Sequence, residues 1–280
     1  VGIIVGLLAA ACFGSGDFLG GRASRAAPAA VVLLVAQVCA AAGAVVLAFA
    51  ISGDPSSRDL AYGAAAGLVN AVGLGFLYRG LATGRMGVVA PVAAVVGSVI
   101  PVAWGLIDGE EPGTVVLLGV GLAIVAGALI AREHDARSGP AARSVILAVL
   151  AGAGLGTSFV LFAHTGPDSG MWPVLSARLL AVLGVGGAVG IMLATGRTTT
   201  RLARTPTALA AIAGTFDVTA TALLLVAIRA DLAVVVAPIA ALAPGFTVLW
   251  AWTVLREPAS RIQVAGLGLA LCGLVLIAAG

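Results

Sequence analysis

The sequence predicts an all-α integral membrane protein, with ten transmembrane helices forming two inverted five-helix repeats. Three observations lead there. Hydrophobic residues make up 61% of the chain and charged residues 10%, at a mean hydropathy of +1.15, whereas a soluble domain carries about a quarter charged residues. The runs 26–53, 60–78, 86–107, 112–131, 144–163, 232–255 and 262–280 contain no Asp, Glu, Lys or Arg. Each approaches or exceeds the ~18 residues that mark a span. Finally, "GVVAPVAAVVG" at 87–97 returns as "VVVAPIAALAP" at 234–244, both times with a proline inside an apolar run. Proline deletes a helix hydrogen bond, which a soluble helix rarely tolerates; in a membrane the neighbouring helices can satisfy the freed groups.

The helices are expected at 2–21, 29–51, 60–81, 85–107, 113–131, 143–164, 171–194, 207–228, 231–254 and 261–279. The first opens in "VGIIVGLLAAACFG", which has no positive flank and continues as a full-length span, so it reads as a helix and not as a signal peptide. "SGDPSS" at 52–57, "DGEEPG" at 108–113, "HDARSGP" at 134–140 and "HTGPDSG" at 164–170 are turn clusters that separate later helices. No connection is long enough for a soluble domain. Cys12, Cys39 and Cys272 sit singly in apolar runs without metal-ligand spacing, so they read as small buried residues, and no metal or cofactor is expected.

All 15 basic residues are Arg. Twelve lie in the connections after helices 1, 3, 5, 7 and 9, whereas those after helices 2, 4, 6 and 8 hold only Arg58 and Arg229. By the positive-inside rule the first set is cytoplasmic, which places both termini outside a cell (inner) membrane. The high pI of 9.1 therefore reflects orientation, and no nucleic-acid partner is expected.

The duplication extends beyond the twin segments. "AGLVNAVGLGFLYRGL" at 66–81 aligns with "AGTFDVTATALLLVAI" at 213–228, an offset of 147 that continues through Pro91 and Pro238. Upstream, Phe18 and Gln37 precede Phe159 and Arg178 by 141. The units are 1–135 and 140–280, five helices each. Five is odd, so the second inserts upside down, an arrangement found in secondary transporters with a midplane site between the halves.

The segments "VVAPVAA…IDGEEPGTVVLLGVGLAIVAG" and "VVAPIAA…VLREPASRIQVAGLGLALCG", with "CFGSGDFLGG" near the start, resemble the EamA branch of the drug/metabolite transporter superfamily over nearly the whole chain. The resemblance implies a membrane exporter of metabolites, amino acids or drugs, often proton-coupled, and not an enzyme. It also implies cytoplasmic termini, against the Arg count, which is followed here.

Ionisable groups inside spans are costly and thus functional candidates. Asp217 lies halfway along the eighth helix, and its repeat mate Asn70 lies at the middle of the third. A carboxylate desolvated at that depth can bind a proton or a cationic group in turn; the alternative is a structural hydrogen bond. Arg178, whose mate is Gln37, could hold a substrate carboxylate or form a fixed ion pair with Asp217. Asp17 is expected about one turn from the loop. The resemblance makes it a second proton candidate, and the alternative is pairing with Arg22 or Arg25 near water. Thr221 shares the face of Asp217, with Thr215 and Thr219 flanking. Pro91 and Pro238 are expected to kink their helices. Trp104, Trp250 and Trp252 read as interfacial anchors. Gly63/Gly67, Gly152/Gly156 and Gly186/Gly190 read as close-packing pairs.

The function expected is a proton-coupled exporter of a small amino acid-like or amphipathic solute, embedded in a lipid bilayer and compatible with a homodimer. The rivals are a flippase for a lipid or lipid-linked sugar on the same fold, and an intramembrane lipid-modifying enzyme. The enzyme would need clustered carboxylates with a metal or a nucleophile constellation; His134 and His164 are single loop residues.

Overall fold

The computed structural model describes residues 2–83, 86–109, 111–131, 141–199, 203–230, 236, 239–240, 242–255 and 261–279. They form α1 (Gly2–Ala26), α2 (Ala29–Ala50), α3 (Ser57–Thr83), α4 (Met86–Ile107), α5 (Thr114–Ala131), α6 (Ala141–Ala163), α7 (Trp172–Ala194), α8 (Arg204–Ala230), α9 (Ala243–Leu255) and α10 (Arg261–Ala279). A 3₁₀ turn, Pro167–Ser169, precedes α7. Helices α1, α2, α3, α6, α7 and α8 are long and apolar enough to cross a bilayer.

Most ends follow from local chemistry. Helix α1 runs five residues past its expected end. Gly20 and Gly21, which look like a stop, are buried inside the helix. The chain leaves it only before Pro28, whose ring disfavours helical backbone at the preceding residue, and Pro28 then caps α2. Helix α3 starts earlier than expected because Ser56 and Asp59 form a capping box. Asp59 N–H donates to Ser56 Oγ at 3.2 Å, and Ser56 N–H donates back to Asp59 Oδ2 at 2.9 Å. The expected ninth helix, 231–254, is not continuous. Residues 236, 239 and 240 are helical, but Leu242 is a turn. Leu242 N–H bonds Ile239 O at 3.1 Å and Gly245 N–H bonds Leu242 O at 2.8 Å, both one residue shorter in reach than α-helical bonds. Pro244 has no N–H and favours the first turn of a helix, so α9 restarts there.

The packing pairs helices from opposite halves. Helix α1 lies on α8 and α3 on α6; α2 lies on α8 and α3 on α7; α4 lies on α6 and α9 on α1. Helix α2 also meets α7, and α5 meets α10. Glycine sets the closest of these approaches. A Cβ on Gly67 would stand 2.0 Å from the Ala177 carbonyl oxygen, and one on Gly214 2.0 Å from that of Ala36, both far inside van der Waals contact. Large apolar side chains such as Phe49, Ile107 and Leu183 point outward, as a lipid-facing surface requires. The polar groups Gln37, Asn70, Arg178, Asp217 and Thr221 are buried inside.

Candidate functional site at the centre of the helix bundle

Asp217 is the middle residue of α8 and 7% exposed; Arg178, six residues into α7, is 2% exposed. Arg178 Nη1 donates to Asp217 Oδ2 at 2.6 Å and to Gln37 Oε1 at 3.3 Å. Its Nη2 donates to the Asp217 carbonyl at 3.3 Å and to Thr221 Oγ1. Thr221 Oγ in turn donates to the Asp217 carbonyl at 2.8 Å. Four residues singled out in the sequence, Gln37, Arg178, Asp217 and Thr221, therefore form one network. A buried ion pair persists only if further hydrogen bonds offset its desolvation, and Gln37 and Thr221 supply them. The observed arrangement is the fixed pair, not a guanidinium presented to a solute. It engages a single carboxylate oxygen of Asp217, Oδ2.

The other face of Asp217 lines a cleft that it shares with Asp17 and Asn70. Asp17 was expected near the membrane surface. Because α1 extends to Ala26, Asp17 lies nine residues from its end, roughly 13 Å at 1.5 Å per residue, and within electrostatic reach of Asp217. The apolar walls include Leu74, Leu77 and the rings of Phe13 and Phe159, which stack with centroids 6.1 Å apart. Two carboxylates on one cleft repel when both are charged, so a proton or a cation between them relieves the repulsion.

Asn70, the middle residue of α3, stands apart from the ion pair. Its Nδ2 donates to Ser158 Oγ at 3.4 Å, while Ser158 Oγ donates to Leu155 O at 2.7 Å. Sequence reasoning missed Ser158, yet the 141-residue offset that matched Gln37 with Arg178 also matches Asp17 with Ser158. The Asn70–Ser158 contact between α3 and α6 thus corresponds to Asp217 facing Asp17 between α8 and α1.

Below the turn at Leu242, α9 is tied to α1. Thr247 Oγ donates to Gly14 O at 3.0 Å, and Trp250 Nε1 donates to Ser15 Oγ at 2.9 Å. Trp250 is therefore not simply an interfacial anchor, since its N–H is spent near the middle of α1. Trp104 lies against the His164 ring at 5.5 Å, and Trp252 is exposed. Thr215 and Thr219 donate to carbonyls in their own helix. Helix α4 continues through Pro91; Pro238 lies outside the described residues. Gly63, Gly67, Gly152 and Gly156 all pack backbone against backbone, but Gly190 has nothing within 4 Å and Gly186 only ordinary contact with Leu34.

One end of the bundle is closed by a second polar cluster that the sequence did not suggest. Asp59 Oδ1 accepts Gly166 N–H at 2.6 Å. Arg229, at the end of α8, donates to Gly170 O at 2.9 Å, Gly166 O at 3.0 Å and Ser169 Oγ at 2.7 Å. Asp54 N–H bonds Asp168 O at 2.9 Å. Gly170 has φ +54° and lies so near Gly53 that a Cβ there would meet the Gly170 nitrogen at 2.5 Å, so both positions require glycine. The connections after α2 and α6 and the end of α8 form one tied cap.

The sequence profile of the EamA-like transporter family matches residues 142–279. The chain belongs to the EamA-like transporter family. It is accordingly a multi-pass membrane protein of a family of transporters. One solved crystal structure of a protein superposes at TM-score 0.72, covering 98% of this chain and 95% of its own, with 14% identity; likeness at that identity is likeness of fold. No curated protein matches the sequence. In this EamA-like chain the matched stretch contains Arg178, Asp217, Thr221 and Ser158, while Asp17, Gln37 and Asn70 lie outside it.

Proposed function

We propose that this EamA-like protein is a secondary transporter that exports a small solute in exchange for protons, by alternating access between repeats 1–135 and 140–280. The observation that carries the reading is the meeting of Asp17, Asn70 and Asp217 on one cleft at mid-depth, with Asp217 held from behind by Arg178. The cross-half helix pairs support the two repeats. Under the sequence offsets, α1 on α8 is the counterpart of α6 on α3, and α2 on α8 the counterpart of α7 on α3. The expected ninth helix, interrupted before α9 where Ala240 and Ala243 border the cleft, is the kind of discontinuous helix that secondary transporters place at their sites.

Asp17 and Asp217 take different parts. Asp217 is held in place by Arg178, so Asp17 is the carboxylate that takes up and gives up the proton as the solute leaves or enters. The test compares the medium of cells expressing wild type, Asp17→Asn or no protein, at matched membrane levels. The expectation is a solute enriched outside only with wild type, and an Asp17→Asn variant that is folded but no longer accumulates it against a gradient. Undiminished gradient-driven export by Asp17→Asn would sink the coupling role.

A further inference from the structure

We propose that the cleft takes a small primary amine, in its ammonium form and carried on an apolar body, and that Asn70 Oδ1 selects for its N–H groups. The inference rests on the reading of the cleft as the solute site and adds the chemistry of the solute.

The orientation of the Asn70 amide follows from its neighbour. Ser158 has one hydroxyl hydrogen, and it goes to Leu155 O at 2.7 Å. Ser158 Oγ is therefore an acceptor toward Asn70, so the group it meets at 3.4 Å is the Asn70 NH₂. That leaves Oδ1, which is buried and has no hydrogen-bond partner among the described residues. Asn70 is only 6% exposed and lines the cleft. A buried acceptor without a donor is costly, and a ligand that brings a donor recovers that cost.

The rest of the cleft has the same character. Asp17 and Asp217 add carboxylate oxygens, and none of the described lining residues is basic. The buried cation beside Asp217, Arg178, is committed to Asp217, Gln37 and Thr221. An amino acid's ammonium would find partners here, but its carboxylate would face two others. The geometry thus narrows the expected amino acid-like solute to its amine half. Phe13 and Phe159 supply faces for an apolar or aromatic body and for cation–π contact with the headgroup.

The test uses the full chain purified in detergent, with dissociation constants measured for phenethylamine, its N,N,N-trimethyl analogue, 2-phenylethanol and 3-phenylpropanoate at neutral pH. The wild type should bind phenethylamine tightest, about ten-fold over the trimethyl analogue, the scale of one buried acceptor losing its donor. Asn70→Ala should lower that ratio about three-fold or more, while Asn70→Asp, which keeps an acceptor, retains it. An unchanged ratio in Asn70→Ala, tighter binding of the carboxylate or the alcohol, or no amine binding at millimolar concentration overturns the proposal. If Asn70→Ala does not fold, the ranking by the wild type still decides. Proton movement in proteoliposomes is read separately. Amine selectivity without proton movement leaves this inference standing and removes the coupling, whereas proton-coupled export of an anion does the reverse.

Discussion

Replacing Asp217 by Asn removes more than a proton site. It leaves the Arg178 guanidinium buried without its counter-charge, a change that costs on the order of 3–5 kcal/mol when one partner of a buried pair is lost. Asp217→Asn should therefore lower the thermal midpoint of the purified protein sharply, and lost transport in that variant would say little about coupling. The double variant Arg178→Gln/Asp217→Asn should recover most of the loss, because it removes both charges and keeps the hydrogen-bonding shapes. It also gives the second half the side chains that the first half already carries at the equivalent places, Gln37 and Asn70. A double-mutant cycle on thermal stability checks this; additive losses would mean that the pair is not coupled. At this scale the sequence was informative about which buried polar groups the structure brings together. The members of the network stood out as polar groups in spans, but whether Arg178 faced a solute or Asp217 depended on the direction of one long side chain.

Among the helices, the difference between a glycine that packs and one that merely occurs was not legible. Gly67 and Gly186 both sit in GxxxG spacing, yet only the first touches another backbone. Gly214, which has no such spacing, makes one of the tightest contacts, against the Ala36 carbonyl of α2. Gly214→Ala should destabilise the fold by about 1–3 kcal/mol through overpacking of α8 on α2. Gly190→Ala should be neutral or stabilising by up to about 1 kcal/mol, since alanine is the better helix former and nothing lies in its way. Paired melting curves decide it, and equal losses would contradict the packing. The ends of α1 and α9 carry a similar lesson. The buried glycines at the expected end of α1 accommodate neighbours, with a Cβ on Gly20 reaching the Tyr78 ring at 2.2 Å. Pro244, set in an apolar run of the sequence, breaks a helix that hydropathy reads as continuous.

For the molecule as a whole, the tied cap of the α2 and α6 connections bears on orientation. Arg229, one of the two arginines counted on that side, is half-buried and donates to backbone carbonyls, so it contributes to structure more than to a surface charge. The charge asymmetry between the two ends is then steeper than the bare count. On a background with Cys12, Cys39 and Cys272 replaced, Ser57→Cys should react with a membrane-impermeant maleimide in intact cells, and Arg197→Cys should react only after lysis. The opposite pattern would place the termini in the cytoplasm, as the family resemblance implies.

The sequence by itself determined the membrane character, the positions of most helices and the residues worth watching. These depend on local sums: hydropathy over about 20 residues, turn chemistry over a few, and the rarity of charge in a span. Only the tertiary structure decided that Asp17 reaches the cleft, that Arg178 turns to Asp217, that Ser158 orients Asn70, and that Asp59 and Arg229 tie one end shut. Each of these contacts joins residues on different helices or connections, some of them more than 100 residues apart. Their meeting depends on how deeply each helix sits and how it is rotated, and these follow from backbone contacts such as Gly67 on Ala177 that no local sum contains.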